Sequence, residues 1–334
     1  MKKEVISGQW LVIRKKIYPL TTKYYPLSTF LRSSWLIILI LFLGCNANNG
    51  REITDRTGKT VTIKNQINRI VSTAPSNTEI ITDLGQAHKL VAIDRHSANV
   101  TGIPEGLTQL DFFYPDAEAI IRLEPDIIIA SGHNPTGTGE DPFKLLRNAG
   151  IPVVYISMSA SIDEIYNDIA FIADILRVQK EGEKLISSMK AQIDEIAHMT
   201  ANIKDRRKVY FEISAAPDMM TFGKGSYIDD MISVIGAKNV FGDENWLVKP
   251  GAEAIISRNP DVILTNVSYI DDPIAEIKSR AGFKHINAVK NDRIYQINTD
   301  SSVRPSSRII LALRQMSRVV YSEFYESYVV YPDE

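Results

Sequence analysis

The sequence predicts an α/β protein of two similar lobes with parallel central sheets. One long backbone helix joins the lobes, and a ligand cleft lies between them. Three observations carry this prediction. The first is an internal repeat: residues 117–129 read AEAIIRLEPDIII and residues 252–264 read AEAIISRNPDVIL. The second is the end of each copy, an apolar run too hydrophobic for a sheet edge and suited to a parallel sheet covered on both faces. The third is a helical stretch, 162–203, that lacks proline and holds glycine only at Gly182.

Composition fits that class. A chain of 334 residues has room for two ordinary domains. An apolar content of 44% and a charged content of 23% describe a globular protein. The net charge of -2 gives no concentrated basic surface for nucleic acid. The single cysteine excludes an intrachain disulfide.

Taken in order, residues 1–44 read as a leader. Lys2, Lys3, Arg14, Lys15, Lys16, Lys23 and Arg32 precede an apolar run, 35–43, that ends at Gly44. The run is short for a bilayer-spanning helix and suits the core of a signal peptide. A small residue directly before a lone cysteine resembles a lipobox, which makes Cys45 the candidate site of lipidation. A plain signal anchor with a bystander cysteine is the alternative. Residues 45–52 read as a flexible polar tether, so the folded part is expected outside the cytoplasm, anchored to the membrane.

The N-terminal lobe is expected over 53–160. Its strand at 70–72 leads to a helix that closes on Gly85, then to the first AEAII unit and a strand at 153–156. Residues 161–203 divide into a helix at 162–176 and a connector at 179–202. The connector carries Leu185, Met189, Ile193 and Ile196 on one face at helical spacing, a stripe that reads as packing. A rigid helical connector limits hinge opening. The C-terminal lobe, 204–330, repeats the plan: a strand at 209–213, a helix closing on Gly236, the second AEAII unit and a strand at 293–297.

Enzyme motifs are missing from the sequence: no G-x-S-x-G elbow, P-loop, G-x-G-x-x-G or H-E-x-x-H is found. The histidines at 88, 96, 133, 198 and 285 form no pair at metal-ligand spacing. A binding protein without turnover, resident cofactor or protein-held metal is therefore expected. A zinc or manganese receptor and an extracellular hydrolase or reductase are the weaker alternatives. Loops at the carboxyl ends of parallel strands face the crevice where ligands collect. Those loops supply Ser76, Asn77, Phe113, Tyr114, His133, Asn134, Phe222, Trp246, Tyr269, Asp300, Ser302 and Arg304 as candidate ligand-binding residues. Aromatic rings mixed with a few polar groups suit a large, partly apolar ligand.

At these residues the chain resembles the class III periplasmic binding proteins for cobalamin, ferric siderophores and haem. The resemblance covers nearly all of residues 52–322. It is carried by the hairpin TGKTVTI at 57–63, by RIVSTAPSNTE at 69–79, by NPDVI at 259–263 and by RPSSRII at 304–310. It implies a monomeric carrier of a small-molecule metal chelate, a ferric siderophore, cobalamin or haem, that serves an ABC permease dimer with its ATPase subunits. It further implies one docking glutamate per lobe, assigned to Glu79 and Glu253. Glu118 is the repeat partner of Glu253. Asp300 matches a ligand-contacting aspartate of the cobalamin-binding relatives, although serines stand at 301 and 302 beside it. His133, Tyr114 or Tyr269 would be the axial ligands if the chelate were haem.

Overall fold

The computed structural model describes residues 10–13, 16–19, 50–111, 113–132 and 141–322. The chain divides into two compact units, 1–49 and 50–334. In the first, β1 (Trp10–Ile13) and β2 (Lys16–Pro19) pair as an antiparallel hairpin. The apolar run 35–43, Cys45 and residues 46–49 lie outside the described residues, so the leader and lipobox readings rest on sequence.

The second unit opens with an antiparallel hairpin, β3 (Gly50–Thr54) and β4 (Thr60–Lys64). β3 starts inside the stretch expected as tether. Ile53 and Ile63 are buried in the core, and that apolar burial draws the segment into the fold. Asp55 holds the turn between the strands by accepting from the amides of Thr57 at 2.9 Å and Lys59 at 3.0 Å.

The N-lobe sheet contains β5 (Ile70–Ser72), β6 (Leu90–Asp94), β7 (Thr108–Leu110), β8 (Ile127–Ser131) and β9 (Val153–Ile156). All pairings are parallel, in the order β7-β6-β5-β8-β9. Among the described residues this lobe carries three α-helices: α1 (Pro75–Asp83), α2 (Ala117–Arg122) and α3 (Lys144–Asn148). The sheet explains the unbroken apolar run of β8. Ile127 and Ile129 enter one core cluster while Ile128 enters another on the opposite face, so no position is left for a polar residue.

Two helices then carry the chain across. α4 (Ile162–Leu176) is capped by Ser161, whose hydroxyl accepts from the Glu164 amide at 3.2 Å. Asp163 and Glu164 in the first turn complement the helix dipole. It stops at Arg177, whose left-handed φ of 59° ends the ladder. α5 (Gln179–Thr200) follows. Met189, Ile193 and Ile196 are buried, as the helical stripe requires. Gly182 is needed where α5 crosses α4: an added Cβ there would lie 2.6 Å from the Ala173 Cβ.

The C-lobe runs through β10 (Lys208–Glu212), β11 (Thr221–Phe222), α6 (Tyr227–Val234), β12 (Lys238–Asn239), β13 (Leu247–Val248), α7 (Ala252–Arg258) and β14 (Val262–Thr265). It finishes with α8 (Pro273–Ser279), α9 (Asn287–Lys290), β15 (Ile294–Gln296), α10 (Thr299–Val303) and α11 (Ile309–Val320). Its main sheet is also all parallel, in the order β12-β10-β14-β15. β11 and β13 form a separate antiparallel pair. α11 lies along α5, where Arg314 Nη2 donates to Gln192 Oε1 at 2.7 Å. One apolar core takes side chains from both main sheets and from α4, α5 and α11.

The repeat holds in three dimensions. Ile120 and Ile255 occupy the same position of the AEAII unit and are both fully buried. Glu124 and Asn259, each just before the proline, share a left-handed backbone with φ of 45° and 46°. The aspartate after each proline ties down the start of the neighbouring strand. Asp126 accepts from the Arg69 amide at 3.0 Å, and Asp261 accepts from the Lys208 amide at 2.9 Å.

Candidate ligand cleft

Parallel strands send their carboxyl ends to one side, and in the N-lobe all five do so at a single cleft of about 700 Å³. The order changes direction between β5 and β8, the place where such sheets open a crevice. Ala74 to Asn77 follow β5, Arg95 to Asn99 follow β6, and Phe113 follows β7. Ser131 ends β8, and Ile156 to Ser159 close β9. From the C-lobe, Thr299, Asp300, Val303, Arg304 and Pro305 form the remaining wall. Phe113, Met158 and Val303 expose 52%, 37% and 45% of their surface there, so the wall offers apolar area among its hydroxyl and amide groups.

A buried ion pair joins the two sides beneath the cleft. Arg304 Nη1 lies 2.9 Å from Glu79 Oε1, with the two side chains 9% and 1% exposed. Ser306 Oγ donates to Glu79 Oε2 at 2.6 Å. The other guanidinium nitrogen reaches Asp300 Oδ1 at 2.8 Å, the His96 carbonyl at 3.0 Å and Asn99 Oδ1 at 2.9 Å. Asn99 Nδ2 in turn donates to Asp300 Oδ2 at 2.5 Å. One turn further along α1, Asp83 accepts from Ser307 and lies 3.7 Å from Arg308. Burial pushes the Glu79 carboxyl above its ordinary pKa, and the bonds from Ser306 and Arg304 act against that rise.

Several sequence expectations change here. Glu79 was expected to face a partner as an exposed docking carboxylate. Its carboxylate is instead enclosed and already bonded to Arg304 and Ser306, which leaves nothing to offer at a surface. Glu118, at the repeat position that matches Glu253, is 89% exposed on its side chain, and Glu253 is exposed as well. Ser302 was expected to touch ligand. It is fully buried, donating to the Asn298 and Thr299 carbonyls and accepting from Asn266 Nδ2. Arg304 lines the cleft but is committed to the ion-pair network.

Ser76, Asn77, Phe113 and Asp300 do line the cleft. Asn77 is mostly buried and donates to the Ile129 carbonyl at 3.4 Å. Tyr114, Phe222, Trp246 and Tyr269 fall outside its wall. The Tyr269 hydroxyl accepts from the Ala215 amide at 2.8 Å. Trp246 stands edge-on to Phe222 with ring centroids 5.7 Å apart. Its φ of 55° is a left-handed conformation uncommon for a bulky side chain. Two bonds hold that backbone, from the Gly223 amide to the Trp246 carbonyl at 2.7 Å and from the Trp246 amide to the Lys224 carbonyl at 2.9 Å. A Cβ on Gly223 would lie 2.4 Å from the Glu244 carbonyl oxygen. His133 and Asn134 lie outside the described residues.

Sequence reasoning missed Arg95, His96, Asn99 and Met158. The signal was available, since each sits just past the carboxyl end of β6 or β9. The His96 imidazole is exposed on the cleft wall. Among the described residues no group of three or more His, Cys, Asp or Glu side chains is placed to hold a bare metal ion.

Two similar parallel sheets, a helical connector and a cleft at the strand ends define a two-lobed solute receptor. The chain belongs to the periplasmic binding protein family, whose profile matches residues 70–300, and it is a substrate-binding protein of the ABC-importer class. It is 31% identical to YvrC of Bacillus subtilis, an uncharacterized ABC transporter substrate-binding lipoprotein, over 82% of this chain and 86% of that one. It is 27% identical to a vitamin B12-binding protein of Vibrio cholerae, over 74% of this chain and 87% of that one. Among solved structures it resembles a possible iron-binding periplasmic solute-binding protein from Staphylococcus epidermidis. That match has a TM-score of 0.70 and 32% identity, over 77% of this chain and 99% of that one.

Proposed function

We propose that the chain is a monomeric lipoprotein, acylated at Cys45, that captures a large metal chelate and passes it to a permease dimer with its ATPase subunits. The chelate is a corrinoid, a ferric siderophore or haem. The observation that carries this reading is the convergence of all five N-lobe strand ends on one cleft with apolar surface and scattered hydroxyl and amide groups. The names of the relatives, vitamin B12-binding in one case and iron-binding in another, support the ligand class.

Docking falls to Glu118 and Glu253. Each stands exposed in the first turn of its AEAII helix, one per lobe, and rim charges of this kind set orientation and encounter rate. The direct test is calorimetric titration of the full chain with cyanocobalamin, a ferric trihydroxamate, a ferric triscatecholate and haem. One-to-one binding of at least one of them is expected. Absence of binding across the set removes the metal-chelate reading.

A further inference from the structure

The charges around the cleft discriminate among these chelates. Its wall carries two guanidinium groups, Arg95 and Arg304, and each lies against a carboxylate, Arg95 at the surface and Arg304 in the interior. Arg95 Nη2 lies 2.9 Å from Asp111 Oδ2. The Tyr114 and Phe113 amides bond to Asp111 and hold its carboxyl below the ordinary value, so this partner stays ionised at neutral pH. Arg304 is shared between Glu79 and Asp300.

Two guanidinium cations and the His96 imidazole therefore stand with three carboxylates, Asp111, Asp300 and Glu79. With Glu79 ionised the set is net negative, or neutral when His96 is protonated. An ionised Glu79 thus leaves no net positive charge over for a ligand. Receptors for polyanions rely on guanidinium groups free to take bidentate bonds from the ligand, and an unmatched carboxylate in a cleft repels an anion. The wall also offers uncharged groups: the Ser76 and Ser157 hydroxyls and the exposed surface of Phe113, Met158 and Val303.

We propose that the cleft selects a metal chelate of zero or positive net charge, a corrinoid or a ferric trihydroxamate, and rejects anionic chelates. This rests on the receptor reading above. It sets aside haem, whose two propionates outweigh the single positive charge of the ferric porphyrin, and the trianionic ferric triscatecholates.

The test is competition calorimetry on the full-length chain in mild detergent, using cyanocobalamin, ferrioxamine B, haem and ferric enterobactin. The better of the first two is expected to bind about 100-fold tighter than either anion. Haem or the triscatecholate binding as tightly as, or tighter than, the neutral and cationic chelates overturns the charge selection and leaves the receptor reading standing. No binding by any of the four overturns both. In Asp300→Asn the preference over the anions is expected to narrow by about 5- to 10-fold, because one negative charge leaves the wall. An unchanged ratio in that variant also overturns the proposal.

Discussion

In the N-lobe every strand of the parallel sheet sends its carboxyl-terminal loop to the cleft. Among the described residues the C-lobe reaches the same cleft only through 299–305. Yet both lobes contain the same AEAII unit, the same left-handed residue before proline and the same aspartate tying down the next strand. The shared unit builds a sheet, and the loops grafted on that sheet decide what it does. The segment 299–308 is also bonded to α1 and to the 95–99 loop. This part of the C-lobe thus behaves as a wall of the N-lobe site.

The buried ion pairs offer the sharpest way to break that comparison. Each lobe end has one: Arg304 with Glu79 across the lobes, and Arg280 with Glu212 inside the C-lobe at 2.5 and 2.8 Å. Arg304→Ala and Arg280→Ala should each cost about 3–5 kcal/mol, since each leaves a carboxylate buried and unpaired. Urea unfolding checks the cost. Ligand titration separates the two, because only the Arg304 variant should lose chelate binding. Loss of binding in both would mean that the C-lobe interior supports the site as much as the interlobe pair does.

Smaller effects probe the repeat. Ile120→Ala and Ile255→Ala empty equivalent fully buried positions and should each cost about 2–4 kcal/mol. Unfolding midpoints that differ widely between the two would show that the lobes pack the repeat differently. Asp126→Asn should cost about 1–2 kcal/mol at neutral pH. Burial alone would raise the Asp126 pKa, but Lys64 and the amides of Asn68 and Arg69 together hold it below its ordinary 3.8. A carboxyl whose pKa is depressed in the folded state stabilises above its unfolded value and loses that contribution as pH falls through the folded one. The gap between wild type and Asp126→Asn should therefore close as unfolding is measured below pH 3.8. Glu118→Ala with Glu253→Ala should change stability by less than about 0.5 kcal/mol and leave chelate affinity intact while cellular uptake falls. Unchanged uptake would remove the docking assignment.

Much of the architecture was legible because it is local. The helices at 162–176 and 179–200 and both AEAII units announce themselves within a dozen residues each. Glu79 shows what local reading misses. Its motif looks like a solvated first helical turn, but its partner Arg304 lies 225 residues away, and only tertiary packing brings the two together. The same distance hid the commitment of Arg304. The tether was read too far into the fold because the Gly50–Thr54 strand gains its burial only through the hairpin with Thr60–Lys64. His96 and Met158 were readable from the rule that strand ends line the crevice.

The account stands most directly on where the ligand sits. Ala98 lies exposed on the cleft wall, so Ala98→Trp fills the cleft without removing a side-chain bond. Calorimetric titration of wild type and this variant with the tightest-binding chelate is the deciding measurement. One-to-one binding in the wild type, weakened at least about 100-fold in a variant with the same unfolding midpoint, is the predicted result. Equal affinity in the two proteins would place the ligand elsewhere and contradict the account.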